Sequence, residues 1–127
     1  MAKGPRNIDP KSLMHYRFPL QALASILHRL SGVILFCLIP FILWLLHLSL
    51  SSEARFLMVK DFMGSPVVAF FMWVALSALF YHLIAGIKHL LMDAGYFEEK
   101  TSSKIASIVV IALGCVAAIG IGVWIIC

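Results

Sequence analysis

The chain has 127 residues, of which 62% are hydrophobic and 13% charged, against about 45–50% and about 25% in soluble domains. A soluble domain of this size has too little interior to hide so much apolar surface, so lipid or other subunits must cover it. Lys+Arg 10 against Asp+Glu 6 leaves a net charge of +4; these charges cluster at the ends of apolar runs, which is the pattern of membrane topology and not of a nucleic-acid patch.

After a polar N-terminal segment, 1–19, the first apolar stretch without a formal charge is Leu30–Ser52. Apart from Gln21, Ser25, His28 and Arg29 the apolar character begins at Leu20, and Pro19 is the kind of residue a first helical turn tolerates, so the span is read as about 21–50. Pro40 is expected to kink it near its middle. Phe62–Ile87 and Ile105–Cys127 are the other two uncharged stretches, giving spans of about 64–92 and 104–127. Each exceeds the roughly 20 residues a helix needs to cross the hydrocarbon, and none alternates as a barrel strand would. The fold class is therefore an all-α membrane protein with three transmembrane helices in a single anchor domain, 1–127.

Lys3, Arg6, Lys11 and Arg17 precede the first span and Lys88, Lys100 and Lys104 lie around the second connection, while the first connection has only Arg55 and Lys60. The positive-inside rule places the N-terminus in the cytoplasm and Cys127 in the periplasm. Asp9 and the lack of an Arg/Ser-rich start argue against a transit peptide, which makes a bacterial inner membrane the expected location. Cys37, Cys115 and Cys127 have no metal-type spacing and read as apolar packing residues. Gly114, Ala118 and Gly122 form a small-residue stripe that permits close helix contact.

The informative positions are polar ones inside the spans. Ser25, His28, Arg29 and Gly32 share one helix face, and His82, Gly86, His89 and Asp93 share another. Ionisable groups in a membrane cost several kcal/mol and normally face a functional interior. Snorkelling to the headgroups accounts for Arg29, His89 and Asp93 but not for His82, which lies about 10 Å deeper than His89 at about 1.5 Å rise per residue. A buried histidine can simply hydrogen-bond to a neighbouring helix. It can also ligate haem iron, with Gly86 opening room for a flat macrocycle and His28, Arg29 and His89 available to propionates.

The S-x-x-H-R-x-S-G segment at Ser25, His28, Arg29, Ser31 and Gly32, paired with H-x-x-x-G-x-x-H-x-x-x-D at His82, Gly86, His89 and Asp93, closely resembles the larger cytochrome b membrane-anchor subunit of succinate dehydrogenase, respiratory complex II. The resemblance covers nearly the whole chain. It is to the enterobacterial type, because Asn7-Ile8-Asp9-Pro10 stands where the mitochondrial type has a Ser-Pro-His signature.

The resemblance implies a heterodimeric membrane-anchor bundle. His82 would be one axial ligand of a single haem b, with the other ligand from a small membrane-anchor subunit. His28, Arg29 and His89 would contact the propionates. Ser25 and Arg29 would bind ubiquinone, and Asp93 would hold Arg29 or relay protons. The chain lacks a dinucleotide-binding glycine turn and a cysteine set for iron–sulfur clusters, so succinate oxidation would belong to a flavoprotein subunit and an iron–sulfur subunit docked on the cytoplasmic side. Glu98, Glu99 and Lys100, with the basic N-terminus, are candidates for that docking surface. The rival readings are a haem-free anchor of a fumarate reductase-like complex and a small transporter component.

Overall fold

The computed structural model describes residues 19–97 and 99–127; the N-terminal basic residues and Glu98 lie outside the described residues. Among the described residues four helices follow in order: α1 (Leu20–Ser51), α2 (Glu53–Met63), α3 (Pro66–Asp93) and α4 (Lys100–Ile126). Those of 32, 28 and 27 residues (α1, α3 and α4) are long and apolar enough to cross a membrane. The chain is a multi-pass membrane protein.

The sequence punctuates these helices. Pro19 is the N-cap residue of α1, with extended backbone, so the helix starts one residue later than a proline at its first helical position would place it. α1 then continues through Pro40 as one helix. Ser52 leaves the helical region at φ −168° and ψ 158°, and its hydroxyl accepts from the Arg55 amide at 3.3 Å, ending one helix and capping the next. Ser65 does the same for α3, accepting from Val68 N–H at 3.4 Å with Pro66 in the first turn. At the far end of α3, Gly95 has φ 86°. Its N–H donates to Met92 O at 3.0 Å, and that of Tyr96 donates to Leu91 O at 2.9 Å. This is a Schellman closure, in which glycine takes the left-handed position at little cost.

α3 packs most extensively against α4 and next against α1, with a smaller α1–α4 contact. The buried apolar residues are small: Ala24, Ala78, Ala85 and Val110. Large apolar side chains such as Phe36, Trp44, Phe71 and Trp124 point outward, the inverse of a soluble core and what lipid or a partner bundle requires. The small stripe of α4 faces α3. The Trp73 indole N–H donates to Ala118 O at 2.7 Å, and its ring lies over Gly122, where an added Cβ would meet it at 3.2 Å. Tyr81 lies over Gly114, where a Cβ would come within 2.6 Å of the ring. Because the Tyr81 hydroxyl is tied to Ala24 O at 3.0 Å, the ring cannot swing aside freely. Gly114→Ala is expected to destabilise the protein by about 1–3 kcal/mol through overpacking, read as an earlier unfolding transition in detergent; an unchanged transition would mean that Tyr81 yields.

The three cysteines are free and exposed on the outer surface of the bundle, so they pack against lipid or a partner and not within this chain. Lys88, expected near the loop, lies inside α3 and is only 5% exposed. α2 was not expected; its surface is exposed throughout except for half-buried Val59 and Met63.

Candidate functional site

The site forms where α1 and α3 approach each other. α1 turns Ala24, His28 and Ser31 toward α3, at the i, i+4 and i+7 spacing that keeps residues on one stripe. Across from it, His82 and His89 stand two turns apart on α3. The His28 ring inserts between them. It stacks on His82 with centroids 4.2 Å apart and on His89 at 4.9 Å, with interplanar angles of 21° and 19°. Gly86 sits between the two α3 histidines, and a Cβ there would meet His28 Nε2 at 3.5 Å. The space left by Gly86, expected to face a macrocycle, thus receives the His28 ring.

Hydrogen bonds assign the ring protons. His82 Nδ1 lies 3.1 Å from both His28 O and Ser31 Oγ. A carbonyl only accepts, and the Ser31 hydroxyl already donates to the same carbonyl at 2.7 Å, so Nδ1 carries the proton and donates. The lone pair then lies on Nε2. Among the described residues no hydrogen bond engages His82 Nε2. Gly32 supports the arrangement, since a Cβ there would be 3.0 Å from His82 Cε1. His89 is likewise fixed, with Nδ1 donating to Ala85 O at 2.8 Å. His28 Nε2 differs: it is buried and has no hydrogen-bond partner among the described residues, which is uncommon for a buried polar atom and calls for an acceptor or donor beyond them.

Not all the expected residues join this stack. Ser25 and Arg29 lie one position round α1 from the Ala24–His28–Ser31 stripe, Ser25 half-buried and Arg29 exposed. Several serines bond back to their own helix, including Ser31, Ser49 and Ser107. Among the described residues the Ser25 hydroxyl makes no such bond. Asp93 is exposed at the end of α3, and among the described residues no hydrogen bond or ion pair joins it to Arg29. Ser31 and Tyr81 had no expected role, yet one orients His82 and the other ties α3 to α1.

These residues fit a haem on chemical grounds. A ring nitrogen with its lone pair free and the opposite N–H held by a carbonyl is how proteins present histidine to a metal. The orphaned His28 nitrogen can serve a propionate oxygen. No group of three or more metal-ligating side chains comes together among the described residues.

Fold and site together define a three-span membrane helical bundle with three stacked histidines between its first and second spans. Residues 3–121 match the family described as succinate dehydrogenase/fumarate reductase transmembrane subunit, and the chain belongs to that family. Similar proteins include the succinate dehydrogenase cytochrome b556 subunit of Coxiella burnetii, 36% identical over 125 residues and 98% of each chain. That of Paracoccus denitrificans is 36% identical over 121 residues, 92% of this chain and 89% of the relative. The succinate dehydrogenase cytochrome b560 subunit of Reclinomonas americana is 35% identical over 100 residues, 74% of this chain and 68% of the relative.

Proposed function

We propose that this chain is the cytochrome b membrane-anchor subunit of a succinate:ubiquinone oxidoreductase, that it supplies one axial ligand to a haem b, and that it forms part of the ubiquinone-reduction site. The observation that carries the reading is the fixed tautomer of His82, whose Nδ1–H is held by His28 O and Ser31 so that Nε2 is left as a metal-ligating lone pair. With His82 from this chain and a second ligand from a small anchor subunit holding it, a haem b would supply a one-electron store. His28, through its unpartnered nitrogen, serves a propionate together with Arg29 and His89, where cationic and N–H donors form strong charge-assisted bonds.

Ubiquinone is the substrate of the exposed flank. Its reduction to the quinol takes two electrons and two protons, and negative charge builds on a carbonyl oxygen as electrons arrive. The Ser25 hydroxyl donates to that oxygen, and the Arg29 guanidinium one turn away stabilises the charge in a low-dielectric setting. Both residues lie one position round α1 from the line that meets α3, Ser25 half-buried and Arg29 exposed, which suits a pocket completed by other subunits. Asp93 orients Arg29 or passes protons once those subunits close the site. A flavoprotein subunit and an iron–sulfur subunit supply the electrons from succinate, docked on the cytoplasmic side near the α3–α4 connection. The chain resides in a bacterial inner membrane with its N-terminus cytoplasmic and Cys127 periplasmic, as the distribution of basic residues supports.

The test is the subunit composition and visible spectrum of the detergent-purified complex. Co-purification of a flavoprotein, an iron–sulfur protein and a second anchor, with b-type absorbance, is the expected result. The same subunits without b-type absorbance would establish the haem-free anchor instead, and isolation without soluble dehydrogenase subunits would point to a transporter component.

A further inference from the structure

A second feature lies on the opposite side of α3 from the histidine stack. A groove of about 370 Å³ runs between α3 and α4, lined among others by Lys88, Phe97, Ser102, Ile105, Val109 and Leu113. Ser102 and Phe97 mark its mouth at the membrane face that carries the α3–α4 connection, and Leu113 marks its deep end. Eleven residues of α4 separate Ser102 from Leu113, so the groove descends about 16 Å along the helix, roughly half the hydrocarbon thickness.

Lys88 gives the groove its chemistry. The residue as a whole is 5% exposed, so its stem packs along the groove, while its ammonium is not among the buried side-chain nitrogens that lack a partner. A lysine whose stem packs among apolar side chains near a membrane face carries its ammonium toward the headgroup level, where an anion is the complementary partner. The Ser102 hydroxyl donates to Glu99 O at 2.9 Å, and its oxygen retains room for a water or headgroup near the mouth. A single cation near the membrane surface, above an apolar channel the depth of one leaflet, matches an amphiphile with an anionic head and a long hydrocarbon tail.

We propose that this groove is a binding site for one anionic phospholipid of the adjoining leaflet, its phosphate paired with Lys88 and one acyl chain lying along Ile105, Val109 and Leu113. Charge complementarity selects the headgroup, and the apolar groove selects an acyl chain over free phosphate. The site is independent of haem and quinone binding.

The test uses the purified complex in nanodiscs of phosphatidylcholine doped with phosphatidylglycerol, with retained lipids counted by native mass spectrometry after partial delipidation. The wild type is expected to retain phosphatidylglycerol over phosphatidylcholine by about fivefold, the scale of one membrane-surface lysine. Lys88→Met should bring the ratio to about one, while Lys88→Arg preserves it. Val109→Trp, which fills the groove and leaves Lys88 in place, should also abolish the preference, and the visible spectrum and subunit content verify that each variant is intact. An unchanged preference in Lys88→Met, no preference in the wild type, or displacement of the lipid by inorganic phosphate alone would overturn the proposal. So would a photocrosslinker at Val109 that captures another subunit and not lipid.

Discussion

Replacing His82 by alanine is expected to remove the b-type bands from the spectrum of the complex, whereas His47→Ala, on the exposed surface near the other end of α1, should leave them unchanged. The expectation rests on tautomer and position together: His82 Nε2 carries the lone pair because Nδ1 is committed to His28 O, and His82 is the deeper of the two α3 histidines in the stack. His89 is fixed in the same tautomer but lies two turns along α3, so it cannot take over the same iron without a large displacement of the helix. Added imidazole should restore part of the absorbance in His82→Ala if the cavity persists, separating ligand loss from misfolding. Two milder variants probe the support around the ligand. Ser31→Ala removes one hydrogen-bonding partner of Nδ1, and loss of such an orienting contact typically weakens metal affinity by about 10–100-fold. Gly32→Ala places a methyl 3.0 Å from His82 Cε1, forcing the ring to shift by a few tenths of an ångström and displacing the bands. An unchanged spectrum in His82→Ala would sink the ligand assignment.

The three spans were legible because lipid imposes one rule, a long uncharged helix, and the sequence states it three times. Their ends were less so. Lys100 and Lys104 read as loop by charge, yet α4 already begins at Lys100, since helices extend into the headgroup region where lysine is welcome. Lys88 read as a loop cation by the same habit and is instead buried within α3, a fact only the approach of α4 determines. Helix α2, with Glu53, Arg55, Lys60 and Asp61 mixed among apolar residues, carries no clean period; its serine cap and its closing glycine are the local signals that could have found it.

The polar stripes were visible as stripes, and their partnering was not. Helical spacing places Ser25, His28, Arg29 and Gly32 broadly together, but α1 meets α3 along the line of Ala24, His28 and Ser31. A rotation of one residue, about 100° at 3.6 residues per turn, decides that His28 enters the stack while Arg29 stays outside. Ser31 lies three residues after His28 on the inward line, so its role could have been anticipated from the buried Ala24. The insertion of His28 between two α3 histidines depends on the relative axial position of two helices, which no single-chain pattern encodes.

That same rotation sets up the second large effect. Because Ser25 and Arg29 sit on the flank of α1 and not in the histidine stack, substituting them should leave the haem bands largely in place and strike quinone chemistry. Ser25→Ala and Arg29→Ala are each expected to lower succinate–quinone reduction by about 10²-fold, the usual cost of one lost donor at a developing negative charge. Succinate oxidation by a soluble artificial acceptor, which draws electrons before they reach the membrane, should be preserved. Arg29→Lys discriminates further: a retained point charge without the planar fork should restore part of the rate if electrostatics dominate, and little of it if bidentate geometry is required. The Ser25 hydroxyl, with no hydrogen bond to its own helix among the described residues, is free to donate, so Ser25→Thr should keep more activity than Ser25→Ala. Equal loss of quinone-linked and artificial-acceptor activity in these variants would contradict a quinone role and would instead assign the flank to docking of the soluble subunits.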